Sequence, residues 1–229
     1  MNKKVLMTVV LAGATSLVMA QKPTEGNPSS LEVQLNLSGE SNTMVAPSLK
    51  YRYFLSNNLA IRFGLAYNSS KETNNVAENA DGTGGTGTQE VSSSSFSVAP
   101  GVEYHFAGTD RLSPYLGLAI SIGSGKDTEN WDNYADFGDG GGYAEGVSAD
   151  VETPVSSFGV ALLAGADYYV AENFFLGAEF GWATNSITQK ETSVTVTIDG
   201  DTSSSTSPEQ KSSSSGFGSV GGVRIGWRF

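Results

Sequence analysis

Leu31-Glu32-Val33-Gln34-Leu35-Asn36-Leu37 puts every aliphatic side chain on one parity and every polar one on the other. Side chains of an extended strand point alternately to its two faces, so the stretch reads as a strand with one apolar and one polar face. The period of two returns along the chain. Leu49, Tyr51 and Tyr53 alternate with Lys50 and Arg52, and Leu59, Ile61, Phe63, Leu65 and Tyr67 with Ala60, Arg62, Gly64 and Ala66. Phe96, Val98, Pro100, Val102, Tyr104 and Phe106 alternate with Ser97, Ala99, Gly101, Glu103 and His105. Leu116 to Ile122, Phe158 to Tyr168, Phe174 to Trp182 and Phe217 to Phe229 repeat the pattern, which makes eight strands.

The two faces differ in a telling way. In a soluble β-sandwich the charged face would look outward to water. Here the face opposite the large aliphatics is mostly Gly, Ala and Ser with a few charges, a composition that suits a narrow barrel lumen. The apolar face has aliphatics mid-strand and aromatics toward the ends, among them Tyr51, Tyr53, Tyr104, Tyr168, Trp182 and Trp227. Lipid-facing bands bordered by aromatic girdles have that composition. Leu35, Phe63, Leu118, Leu162 and Ile225 are expected to face lipid.

Connections alternate between short and long. Leu55-Ser56-Asn57-Asn58, Ala107 to Ser113 and Ala171-Glu172-Asn173 are tight turns, and the turn near Ser38–Thr43 is also short. Segments 69–92, 124–154 and 188–214 are long. Short turns on one side and long loops on the other predict an all-β fold, an antiparallel up-and-down transmembrane barrel of eight strands. An even strand count puts both ends of the barrel domain on the short-turn, periplasmic side. Val194-Thr195-Val196-Thr197-Ile198 followed by Asp199-Gly200 signals a hairpin above the membrane. Pro100 and Pro114 lack a ladder donor and are expected at a bulge and at a strand start.

The chain begins Met1-Asn2-Lys3-Lys4, then runs apolar from Val5 to Ala20. Two lysines, a run too short to span comfortably and small residues before Gln21 describe a signal peptide over residues 1–20, cleaved after Ala20. The barrel domain then occupies 21–229. No cysteine is present, so disulfide stapling and lipid anchoring through a thiol are excluded. The formal net charge is −11 and becomes more negative once Lys3 and Lys4 leave. Such a chain repels nucleic acid phosphates and anionic lipid surfaces.

With these features the chain resembles the small eight-stranded outer-membrane β-barrel family of bacterial porin-like surface proteins. The resemblance runs from about Leu31 to Phe229 and is most specific in Val223-Arg224-Ile225-Gly226-Trp227-Arg228-Phe229. A last strand with Val223, Ile225, Trp227 and a terminal Phe229 on one face is similar to the sorting signal read by the barrel-assembly machinery, with which such a strand pairs edge to edge. The resemblance implies residence in the cell outer membrane, with outer-membrane lipids and the assembly machinery as partners. It leaves activity open, because one fold hosts many functions.

On the inward parity lie Glu32, Lys50, Arg52, Arg62, Glu103, His105, Asp167, Glu179, Arg224 and Arg228, crowded toward the short-turn ends of their strands. Cations and carboxylates nearly balance. Charges away from water are tolerable only when paired, so these residues are expected to form an ion-paired plug below a vestibule of small residues. His105 is the only histidine. It lies far from the rim where a serine hydrolase would need its base, and nothing matches a metal, phosphate or nucleotide motif. No cofactor and no enzymatic activity are expected. The acidic residues of 124–154, interleaved with Trp131, Tyr134, Phe137 and Tyr143, match no EF-hand spacing. Those aromatics point rather to a surface for a protein or glycan ligand. Two function classes remain: a structural or surface-interaction barrel with an occluded lumen, or a narrow channel for water, ions or small solutes.

Overall fold

The computed structural model describes residues 27–36, 45–136 and 141–229, without the side chains of 36, 45–47 and 218–221. The signal peptide read in residues 1–20, Leu37, the turn near Ser38–Thr43 and Phe137 lie outside the described residues.

Among the described residues ten strands form one antiparallel sheet. They are β1 (Ser29–Asn36), β2 (Val45–Phe54), β3 (Leu59–Ala77), β4 (Thr86–His105) and β5 (Leu112–Asp136), followed by β6 (Gly141–Tyr169), β7 (Phe174–Gln189), β8 (Thr192–Ile198), β9 (Asp201–Ser207) and β10 (Gln210–Arg228). Eight of them close a ring in the order β1-β2-β3-β4-β5-β6-β7-β10. Closure runs through β1 and β10, from Ser30 opposite Arg228 to Asn36 opposite Gly222. The other two, β8 and β9, are a hairpin laid on the far part of β6, where Val151 pairs Val194 and Val147 pairs Ile198. Asp199 and Gly200, with φ of 51° and 88°, turn that hairpin, the two positive values that a type I′ turn demands.

Polarity is inverted relative to a water-soluble protein. Arg52, Arg224, Glu103 and Asp167 are fully buried, whereas Leu162 is 55% and Ile225 43% exposed. Leu35, Phe63 and Leu118 share that outward face. An apolar exterior around a charged interior is stable only when the surrounding solvent is itself apolar, as in a lipid bilayer. Tyr53, Tyr104, Tyr168 and Trp227 ring the band at the short-turn end, and Tyr67, Phe96, Phe158 and Phe217 at the other.

Wall height is uneven. β1 and β2 have 8 and 10 residues, while β5 and β6 have 25 and 29. About 9–11 residues suffice to cross a bilayer at a tilt near 45°. Much of β3 to β6 therefore stands clear of the membrane. The segments read as loops at 69–92 and 124–154 are mostly strand: β3 and β4 are joined by a turn near 78–85, and β5 continues to Asp136 with β6 starting at Gly141. Acidic residues hid the second one in the sequence, because they fall on both faces: Asp127 and Glu129 lie on the lumen-side parity, Asp150 and Glu152 on the outer. Above the aromatic ring the outer face becomes polar. Lys71 pairs Glu90 at 2.7 Å, Lys126 pairs Glu152 at 2.6 Å, and Ser92 and Thr128 share a hydrogen bond of 2.6 Å.

Pro114 sits third in β5, as a strand start allows. Pro100 is not at a bulge. It holds register opposite Phe63, and β4 keeps one register against β5 from Val98–Ile122 to Gly101–Ala119, so the missing donor interrupts the ladder without adding a residue.

Candidate functional site

Alternation throws one charged side chain after another into the lumen near the short turns, and a ring this narrow brings them into contact. Arg52 on β2 donates from Nε to Glu32 on β1, and its Nη1 lies 3.0 Å from Glu103 on β4 and 2.7 Å from Asp167 on β6. The second contact is ionic, not a hydrogen bond, and Asp167 Oδ2 has no hydrogen-bond donor. Arg224 on β10 bridges Glu32 at 2.8 Å and Asp167 at 2.6 Å. Arg62 on β3 reaches Glu103 at 2.9 Å and Glu179 on β7 at 2.8 Å. Lys50 donates to Glu179 at 3.2 Å and to Gln34 at 2.9 Å. Four cations and four carboxylates thus form one balanced cluster fed by seven strands.

Rings seal the cluster from below. Phe54, Tyr169 and Phe175 are buried at the short-turn end. The Arg52 guanidinium lies 5.1 Å from the Phe175 ring centre and 5.6 Å from that of Phe54. Arg52 Nη2, Arg62 Nε and Arg224 Nε donate to no acceptor among the described residues, and for Arg52 and Arg224 the nearby rings offset part of that cost. Tyr115 crosses the lumen to donate to Glu179 at 2.5 Å, its ring lying over Gly165, where a Cβ would collide with it.

Arg228, read as a member of the ion-pair network, does not join it. Its Nε donates to the Asn27 carbonyl at 2.6 Å and its guanidinium sits 4.2 Å over the Phe54 ring, with no carboxylate partner among the described residues. His105 touches the cluster through Glu103, at 3.2 Å from Nε2, and through Nδ1 contacts the Ser113 hydroxyl at 2.9 Å. Serine, histidine and glutamate therefore follow one another as in a hydrolytic triad. All three are sealed, at 1% exposure or less, and Glu103 is already held by Arg52 and Arg62.

Residues 33–192 match the model of the family described as the putative OmpA-OmpF-like porin family. The chain belongs to this family. It is an outer-membrane β-barrel of porin type. Among solved structures, the chain is similar to Ail, the attachment invasion locus protein of Yersinia pestis, at 15% identity over 90% of this chain and 100% of that one, with a TM-score of 0.38. It is also similar to the outer-membrane protein AlkL, solved in DMPC bilayers, at 12% identity over 90% of this chain and 92% of that one, with a TM-score of 0.33. No curated protein matches it in sequence.

Above the cluster the barrel's lumen widens into a cavity of about 630 Å³. Lys50, Arg62 and Glu179 form its floor, and Ala99, Ala119, Ala161 and Ser121 are among its walls. Sequence reasoning missed Tyr115, Phe54 and Tyr169 as parts of the seal. Their parity was the available signal: Tyr115 continues the inward row of Gly117, Ala119 and Ser121. Val223, Ile225, Trp227 and Phe229 project from the outer side of the closing strand region.

Proposed function

We propose that this family member is a structural or surface-interaction barrel whose lumen is closed, with its work done by the tall hairpins of β3–β6 and β8–β9. The short turns then face the periplasm and the hairpins face the exterior, where they meet a protein or glycan ligand. The observation that carries this reading is the eight-residue ion cluster spanning the lumen from wall to wall, with rings packed beneath it. A hydrated ion would have to part pairs whose members are already desolvated, which is expensive. His105, Ser113 and Glu103 act as structure in this reading, because no substrate reaches them. Planar-bilayer recording of the purified, refolded protein tests it. A closed lumen gives no stable single-channel steps, and regular charge-selective steps from the unmutated protein would favour the narrow channel instead.

A further inference from the structure

The cavity above the ion cluster has a chemistry of its own. Ser97, Ser121, Ser157 and Asn185 stand on the lumen parity of β4, β5, β6 and β7 and line it. None of the four side chains makes a hydrogen bond to the described residues. Ser121 Oγ and Asn185 Oδ1 converge over Gly159, where an added Cβ would lie 2.5 and 3.4 Å from them. The glycine lets the Ser121 hydroxyl and the Asn185 amide pack against the wall there, so that the open volume lies beside them in the cavity they line.

Charge decides the class of occupant. Lys50 and Arg62, the cations of the floor, are both spent on Glu179, and the cluster below is balanced, so an ion of either sign gains little inside. Just above, a second chamber of about 390 Å³ shares Ser97 and Ser157 with the first and is bordered by Asp127 and by Lys126, whose charge Glu152 already pairs. That carboxylate, with Glu129 on the same face, disfavours anions at the entrance. Leu163 and Ala161 supply small apolar areas between the hydroxyls. The volume falls within the range of small-molecule sites, roughly 300–1,000 Å³.

The geometry points to a binding pocket for an uncharged polyhydroxylated solute, of mono- or disaccharide size, held in the vestibule above the ion cluster. The site's being blind rests on the closed-lumen reading; its hydrogen-bonding chemistry does not. Binding is therefore measured separately from conductance, and either result stands without the other.

Sucrose, an uncharged disaccharide, is titrated into the full protein in sugar-free lipid nanodiscs, with backbone amide NMR shifts as the readout. Saturable shifts at Ser97, Ser121, Ser157 and Gly159 are expected. The double variant Ser121→Ala/Ser157→Ala, which keeps the space and removes two hydroxyls, weakens binding by about tenfold or more. Ala161→Phe fills the cavity and abolishes binding while leaving the spectrum of the lower lumen in place. Absence of saturable shifts with sucrose and glucose would overturn the proposal, as would undiminished affinity in the double variant. Tighter binding of glutamate or spermidine than of either sugar would overturn the assigned class.

Discussion

Glu179 on β7 and Arg62 on β3 stand on different walls of the ring, 117 residues apart in sequence, and meet in a two-pronged ion pair at 2.8 and 3.1 Å. The same carboxylate also accepts from Lys50 and Tyr115, so donors from three other strands converge on one side chain.

Glu179 is accordingly the most sensitive point of the lumen. Glu179→Ala strands Lys50 and Arg62 without their shared counter-charge, and a loss of about 3–5 kcal/mol is expected in reversible urea unfolding from vesicles. Glu179→Ala also opens the cluster to water, so conductance should rise above the closed baseline. A loss below about 1 kcal/mol, with conductance unchanged, would show that the cluster is already hydrated.

Ion pairs above the membrane behave differently. Lys126 and Glu152 are each about half exposed, at 48% and 49%, although only 2.6 Å apart. Glu152→Gln is expected to change the unfolding free energy by less than about 1 kcal/mol, and less still in high salt. Comparing both variants across a salt series checks the contrast, since the Glu179 effect should hardly respond.

Leu162 and Leu163 are neighbours with opposite fates, one 55% exposed on the lipid side and the other 4% exposed in the lumen. Leu162→Arg near mid-band is expected to cost about 2–4 kcal/mol in the same unfolding assay. Parity alone sets the outcome, and a cost near zero would place this strand in the opposite register.

The β8–β9 hairpin turns through Gly200, whose φ is 88° and around which a Cβ would meet nothing. Gly200→Val therefore carries a backbone cost alone, about 1–2 kcal/mol. Amide hydrogen exchange over residues 192–207 should quicken while the ring strands stay protected. Protection lost equally in β1 to β7 would mean that the hairpin and ring unfold as one unit.

Much of the barrel was legible because a lipid-spanning strand has only two faces, and alternation reports both. Parity alone puts Lys50, Arg52, Glu103, Asp167 and Arg224 in the lumen, whatever their partners. What parity could not supply was azimuth and reach. Arg228 shares the inward parity but sits so near the short-turn end that the Asn27 carbonyl and the Phe54 ring are what it meets. Segment 124–154 looked like loop because both of its faces are polar in places, water having replaced lipid outside. Its strand character is fixed by pairing along β5 and β6, from Leu112–Tyr168 to Asp136–Gly141, with one register shift at Asp132/Tyr134.

That long ladder has a mechanical consequence. A contact made at the far ends of β5 and β6, near Asp136 and Gly141, acts at the end of a lever, with the bilayer as its clamp. A pull along the strands would slide β5 and β6 against β4 and β7, loading their backbone hydrogen bonds together in shear rather than unzipping them one by one. Tension applied there would thus pass straight into the wall of the ring, and the cross-braced charges inside that wall stand where the load arrives.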